Sequence, residues 1–145
     1  MNMIGDAKLT DELMNTLDEH PRRMGTGMFT TVQLGEMAVI RLLGDREEPL
    51  AAGEISTRLK MTTSRIAAVL NSLEKKRLLI READPSDRRR VLVSLTKEGR
   101  AFCKKKREEG RIRAMRFLER LGEEDAETFV RLLKKMFTVM PENEN

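Results

Sequence analysis

Residues 84–99 read Asp84-Pro85-Ser86-Asp87-Arg88-Arg89-Arg90-Val91-Leu92-Val93-Ser94-Leu95-Thr96-Lys97-Glu98-Gly99. The opening Asp-Pro-Ser-Asp is a turn signal, because Pro presets its own φ and Asp side chains bond nearby backbone N–H groups. Three arginines follow. Val91, Val93 and Leu95 then alternate with Leu92 and Ser94, the period-two pattern of a strand. Thr96 stands where that strand ends, a residue type that caps the first N–H groups of a helix. Just upstream, Leu78-Leu79-Ile80 is a short β-prone run. The spacing predicts a β-hairpin with a basic tip or flank.

The residues before the hairpin give it a context. Leu50 to Leu59 is expected to form a short helix, with Ile55 and Leu59 inward at i,i+4. Lys60-Met61 makes a tight turn. Thr62 caps a second helix with Ile66, Val69, Leu70 and Leu73 inward, which leaves Thr63, Ser64, Arg65, Ala68, Asn71, Ser72 and Lys75 for solvent or a partner. Two short helices joined by a few residues form a helix-turn-helix. Small hydrogen-bonding residues near the start of its second helix suit entry into a major groove. Helix, helix, strand, basic loop, strand is the order of a winged helix-turn-helix. In that arrangement the second helix reads base edges while arginines of the hairpin reach phosphates or the adjacent minor groove.

Amphipathic helices flank this region. The first is expected over Ala7 to His20, with Leu9, Leu13, Met14 and Leu17 on one stripe and Pro21 as its stop. Arg22 to Phe29 is a loop. Thr30 or Thr31 caps a helix carrying Leu34, Met37, Ile40 and Leu43, ending near Gly44. After Thr96 a long helix reaches Leu121, with Ala101, Phe102, Ile112, Met115, Leu118 and Leu121 as its apolar face. Gly122 breaks it, and Glu123, Glu124 and Asp125 suit the positive start of the last helix. Ala126, Phe129, Leu133, Met136, Phe137 and Met140 line one side of that helix. These stripes exceed what one small winged domain can cover. The expectation is a mostly α (α+β) chain, 1–145, with a winged helix-turn-helix and two-stranded wing at 33–100. Segments 1–32 and 101–145 are expected to form a helical dimerisation region.

Composition agrees with this class and removes others. The chain has 145 residues, 36% of them charged and 39% hydrophobic. The first 49 residues hold 5 Lys or Arg against 9 Asp or Glu, whereas residues 50–100 hold 12 against 6. A basic middle third beside an acidic first third suggests a face meant for a polyanion, the competing reading being a solvated surface. The single histidine, His20, and the single cysteine, Cys103, leave too few side chains for a zinc site or a Ser/His/Asp or Cys/His catalytic set. No enzyme, metal or cofactor is expected. No run nears the roughly 18 consecutive apolar residues of a membrane span, and the N-terminus lacks a signal-peptide core. One cysteine suits the reducing cytoplasm.

Residues 84–99 resemble the wing and exit pattern of the MarR family of bacterial winged-helix transcription regulators, Asp-Pro-x-Asp-x-Arg followed by a strand and Leu-Thr-x-x-Gly. Leu73-Glu74-Lys75-Lys76 resembles the end of that family's recognition helix. By motif the resemblance covers residues 34 to 102. It implies an obligate homodimer in which N- and C-terminal helices of two subunits interlock. It also implies that Asp87 braces the wing by pairing with a neighbouring arginine and that Arg89 approaches the minor groove. Three departures stand out: Ala67-Ala68 replace a frequent Thr-Arg, Arg77 replaces a usual Gly, and Ala51 replaces a common capping Thr or Ser. A non-Gly residue in the left-handed conformation costs about 1–2 kcal/mol, so at Arg77 either the cap differs or the cost is tolerated.

The expected function is sequence-specific binding of double-stranded DNA by a homodimeric regulator, a repressor by occlusion, on a pseudo-palindromic operator. The alternative is a winged-helix dimer acting mainly through protein–protein contacts, which would not need arginines in its wing. Candidate DNA-contacting residues are Thr62, Thr63, Ser64, Arg65, Asn71 and Lys75 on the helix and Asp87, Arg88, Arg89 and Arg90 in the wing. Met24, Met28, Phe29 and Met37 are candidates to line a pocket for a small apolar or phenolic effector, with core filling as the competing reading. Cys103 is read as a small core or interface residue and His20 as a helix-end residue.

Overall fold

A computed structural model of the chain describes residues 3–20 and 31–140. In order, these form α1 (Met3–Glu19), α2 (Thr31–Gly44), β1 (Leu50–Ala51), α3 (Ala52–Leu59), α4 (Thr63–Lys75), β2 (Leu79–Ala83), β3 (Val91–Leu95), α5 (Lys97–Leu121) and α6 (Glu123–Val139). The described strands form one antiparallel sheet in the order β1-β3-β2. Leu79 faces Leu95 and Ala83 faces Val91 across the wing, while Leu50 faces Val93 and Ala51 faces Leu92.

The strand β1 corrects the sequence reading, which placed Leu50 and Ala51 in a helix. Two residues carry no readable period. Their conformation is decided by β3, whose buried Val93 needs backbone partners on both sides. Ala51 remains extended at φ −66° and ψ 141° and opens α3 as its N-cap. It has no side-chain oxygen for capping, but Glu54 Oε2 accepts from the Ala51 N–H at 3.2 Å. Half of a capping box thus survives without the Ser or Thr.

The chain divides into two units. One contains α2 to β3 and the first part of α5. Its core joins Val39, Ile40 and Leu43 of α2, Ile55 of α3, Ile66, Val69, Leu70 and Leu73 of α4, Leu79, Val93 and Leu95 of the sheet, and Cys103. The inward stripe of α4 is the one its sequence period indicates. Cys103 is buried, and its thiol donates to the Ile40 carbonyl oxygen at 3.7 Å. Where β3 hands over to α5, Thr96 Oγ1 accepts from the Gly99 N–H at 2.9 Å and donates to the Arg77 carbonyl at 2.8 Å. A Cβ on Gly99 would lie 1.9 Å from the Leu78 carbonyl oxygen, so only glycine fits there.

The other unit contains α1, α5 from Arg107 onward, and α6. Leu13, Ala114, Leu118, Ala126, Val130, Leu133 and Phe137 form its core. His20 stacks on Phe137 with ring centroids 4.1 Å apart, consistent with a helix-end role. Lys134 meets Glu12 at 2.8 Å and Arg111 meets Asp11 at 3.2 Å. The expected apolar face of α5 is only partly used: Leu118 is buried, but Ile112 and Met115 are exposed, as is Phe117.

Candidate nucleic-acid interface

The turn between α3 and α4 is sharp because Lys60 adopts the left-handed conformation at φ 50°. The Lys60 N–H donates to the Thr57 carbonyl and the Met61 N–H to the Ser56 carbonyl, the paired bonds of a Schellman ending. Ser56 Oγ donates to the Met61 carbonyl at 2.6 Å and holds the turn from below. Thr62 then caps α4, accepting the Arg65 N–H on Oγ1 at 3.2 Å. With Ile66, Val69, Leu70 and Leu73 buried, the opposite stripe of α4 is Ser64, Ala67, Ala68, Asn71 and Lys75, all exposed. Two alanines in the middle of that stripe keep it low, which lets a helix backbone approach a groove closely. Arg65 is half-buried at the edge of the stripe.

Arg77 ends α4 in the left-handed region at φ 59°, the position where the resemblance leads one to expect glycine. The motif forms regardless: the Leu78 N–H donates to the Leu73 carbonyl and the Arg77 N–H to the Glu74 carbonyl. The cap therefore does not differ, and the cost of the Cβ is tolerated.

The wing is closed by Asp84, which is the buried carboxylate of the turn and was missed as a site residue. Its Oδ1 accepts from the Ser86 N–H at 2.9 Å and the Ser86 hydroxyl at 2.7 Å. These bonds, the hydroxyl first and then the N–H, hold its carboxyl below the usual carboxylate range, with smaller help from Arg90. Arg90 sits 3.7 Å from Asp84 Oδ2 and 3.6 Å from Glu54 Oε2 of α3, so it ties the root of the hairpin to the helix pair. Asp87 Oδ1 accepts from the Arg89 N–H at 3.1 Å and meets Arg89 Nε at 3.3 Å. The Arg89 side chain is nevertheless 92% exposed, so water competes for the pair and the charge stays available. Arg88 is exposed beside it.

Two further contacts hold the wing and α4 in register. Arg81 of β2 donates to both carboxylate oxygens of Glu74 of α4, at 3.0 and 3.2 Å, and to Asn71 Oδ1 at 2.7 Å. The hydrogen bond to Arg81 lowers the Glu74 pKa and raises that of Arg81. Behind α4, Glu36 of α2 is buried and receives Lys76 Nζ at 2.9 and 2.8 Å. Ser72 also donates to Glu36. The sequence reading left Ser72 for solvent or a partner. It turns inward because Glu36, remote in sequence, offers it a buried acceptor.

The structure thus brings Thr62, Thr63, Ser64, Arg65, Asn71 and Lys75 onto one helix and Asp87, Arg88, Arg89 and Arg90 onto the neighbouring hairpin. Asp84, Arg81, Glu74, Glu54 and Glu36 support them and were not singled out. The Asp-Pro turn was a usable signal for Asp84; nothing in the sequence points to Glu36. Of the effector candidates, Met24, Met28 and Phe29 lie outside the described residues, and Met37 is half-buried on α2. Among the described residues no group of three or more His, Cys, Asp or Glu could hold a metal ion. No described helix is long and apolar enough to cross a membrane.

Comparison with known proteins returns the same architecture. A family model, that of the MarR family, matches residues 30–90. The transcriptional regulator HosA of Escherichia coli O111:H- is 35% identical over 103 residues, covering 70% of this chain and 74% of HosA. YkoM of Bacillus subtilis, an uncharacterised regulator of the helix-turn-helix type, is 32% identical over 100 residues, 69% of this chain. The match spans 64% of YkoM's own length. FabT of Streptococcus pneumoniae, solved in complex with DNA, superposes with a TM-score of 0.63 at 23% identity, over 90% of this chain and 91% of FabT, and shares the fold.

Proposed function

The chain belongs to the MarR family of transcriptional regulators, and from that membership we propose that it is a sequence-specific, double-stranded-DNA-binding repressor. It acts in the cytoplasm as a homodimer on a pseudo-palindromic operator. The observation that carries this reading is the pairing of two exposed arginines, Arg88 and Arg89, with a low polar stripe on α4, on a hairpin whose root is tied down by Asp84, Arg90 and Glu54. Held charges beside a groove-sized helix face suit phosphate contact and base reading together.

Dimerisation is supported by apolar side chains that the monomer leaves in water. Ile112, Met115, Phe117, Leu132, Val139 and Met140 are all exposed, from 36% for Ile112 to 67% for Val139. Exposed apolar side chains concentrated on α5 and α6 suit an interface with a second copy, and regions 1–32 and 101–145 are assigned that role, with 33–100 binding DNA. Repression follows by occlusion of a promoter. Relief by a small apolar or phenolic effector is the regulatory part of the proposal. Met37 follows Glu36, which holds α4, so a ligand shifting α2 would act on the DNA-reading helix.

Selection of bound duplexes from random DNA tests the reading. A palindromic consensus with half-sites about one helical turn apart, ~10 base pairs, supports it. Absence of enrichment removes it and favours the protein-contact alternative. Light scattering at micromolar concentration should give the mass of two 16.7 kDa chains. Release of the selected duplex by a simple phenol supports the effector part, and no release across small aromatics removes it.

A further inference from the structure

Asn71 lies in the middle of the exposed stripe of α4, and its side-chain oxygen is already in use. Arg81 donates to Oδ1 at 2.7 Å while Glu74 holds the same guanidinium on both carboxylate oxygens. A guanidinium carries donors only. The group facing Arg81 is therefore the carbonyl oxygen, and the orientation of the amide follows from chemistry. A free asparagine pairs with adenine because its oxygen accepts from N6 while its nitrogen donates to N7. Here one of the two lone pairs of that oxygen is taken and a positive charge stands beside it, which disfavours approach of the positively polarised hydrogens of a base amino group. What the amide offers unopposed is the pair of hydrogens on Nδ2.

We propose that Arg81 and Glu74 act as positioning residues that make Asn71 read the major groove chiefly as a donor. It then favours guanine, whose O6 and N7 both accept, over adenine, which accepts only at N7 and turns its N6 amino group toward the occupied oxygen, and it rejects cytosine, which offers only a donor. The Arg81–Glu74 pair is internally neutral and adds little net attraction for phosphate. Its effect falls on the identity of the base. This inference rests on the DNA-binding reading above and adds the chemistry of one base position in each half-site.

The test is selection from a random duplex library with four full-length proteins: the parent, Asn71→Ala, the charge-balanced double variant Glu74→Ala with Arg81→Met, and that double variant carrying Asn71→Ala. The column whose preference disappears in Asn71→Ala is the one Asn71 reads. In the parent that column should favour guanine over adenine on the order of tenfold. In the double variant the amide is free to turn, and adenine should rise at the same column by a similar factor, a gain abolished by Asn71→Ala. An unaltered column in the double variant overturns the inference, as does adenine preference in the parent, or no column responding to Asn71→Ala. Parent and Asn71→Ala alone decide the matter should the double variant not fold. Failure of the parent to enrich any sequence is a different result: it overturns the DNA-binding reading itself, and the inference with it.

Discussion

Lys76 places its ammonium 2.9 and 2.8 Å from the two carboxylate oxygens of Glu36. The Glu36 residue is only 6% exposed, whereas about half of the Lys76 side chain is in water. The contact joins α2 to the end of α4, and the two partners do not depend on it equally. Lys76→Met strands a buried carboxylate with Ser72 as its remaining partner. Glu36→Gln keeps an acceptor for Ser72 and releases a lysine that water can solvate. Urea unfolding should show Lys76→Met as the more destabilising change, by about 1 kcal/mol. Equal costs would mean that the carboxylate is better hydrated than its burial indicates.

Arg89 and Arg90 are neighbours with one charge each and different surroundings. Arg89→Ala should leave thermal stability within about 0.5 kcal/mol, as for an exposed site, and weaken binding to cognate and scrambled duplexes alike. The slope of log affinity against log salt, expected near −7 for about eight neutralised phosphates, should flatten by roughly 1 for each phosphate that is no longer neutralised. Arg90→Ala should cost stability as well, because its guanidinium links Asp84 and Glu54. Titrations of both variants at two salt concentrations, with melting curves beside them, separate the roles.

Thr62 and Ser64 are two residues apart, and one caps the helix while the other lies on its exposed stripe. Thr62→Ala removes the cap on the Arg65 N–H and should cost about 1 kcal/mol of folding stability. Ser64→Ala lies on the exposed stripe and should leave the melting temperature unchanged. It should lower affinity for the cognate site by about 1–3 kcal/mol, with little effect on random DNA. A cognate affinity unchanged by Ser64→Ala in a folded dimer would remove that residue from the base-reading set.

The carboxyl of Asp84 is held below its ordinary range by Ser86. A carboxylate whose folded pKa lies below the unfolded value of about 3.9 contributes stability above that value. The contribution is lost as pH falls through the lower, folded value. Ser86→Ala removes the hydroxyl bond and raises the folded pKa toward the unfolded one. The acid limb of the stability curve should then move to higher pH, with less stability at neutrality. Circular dichroism during acid titration of parent and variant checks the direction.

Arg77 occupies φ 59°, where an L side chain is strained and glycine is not. Arg77→Gly should raise stability by about 1 kcal/mol, in spite of glycine's greater freedom in the unfolded chain. Gly99→Ala is the opposite case, since its Cβ would meet the Leu78 carbonyl at 1.9 Å. That substitution should destabilise the chain and loosen the start of α5. Thermal melts of the two variants should shift in opposite directions.

Local chemistry determined much of this protein from its sequence alone. The period of Ile66, Val69, Leu70 and Leu73, the caps at Thr62 and Thr96, and the turn beginning at Asp84 are all set within a few residues of chain. Each repeats a pattern that backbone geometry imposes. The hairpin and its arginines follow from the same short-range rules, so the winged helix-turn-helix was legible in the sequence itself.

The tertiary structure decided what depends on partners distant in the chain. Leu50 and Ala51 became a strand because β3 needed a second neighbour. Ser72 turned inward because Glu36 was there to receive it, and Ile112 and Met115 were left in water because Leu118 took the inward place on α5. The arginine run, uniform in sequence, separated into an Arg89 almost wholly in water and a half-exposed Arg90 that faces Asp84 and Glu54. Asn71 kept its predicted exposure, but its oxygen went to Arg81 on the next strand. The physical reason is common to all of them. Helix and turn preferences act within about four residues along the chain, whereas the state of a polar or charged side chain is set by whichever groups the fold brings within about 3 Å.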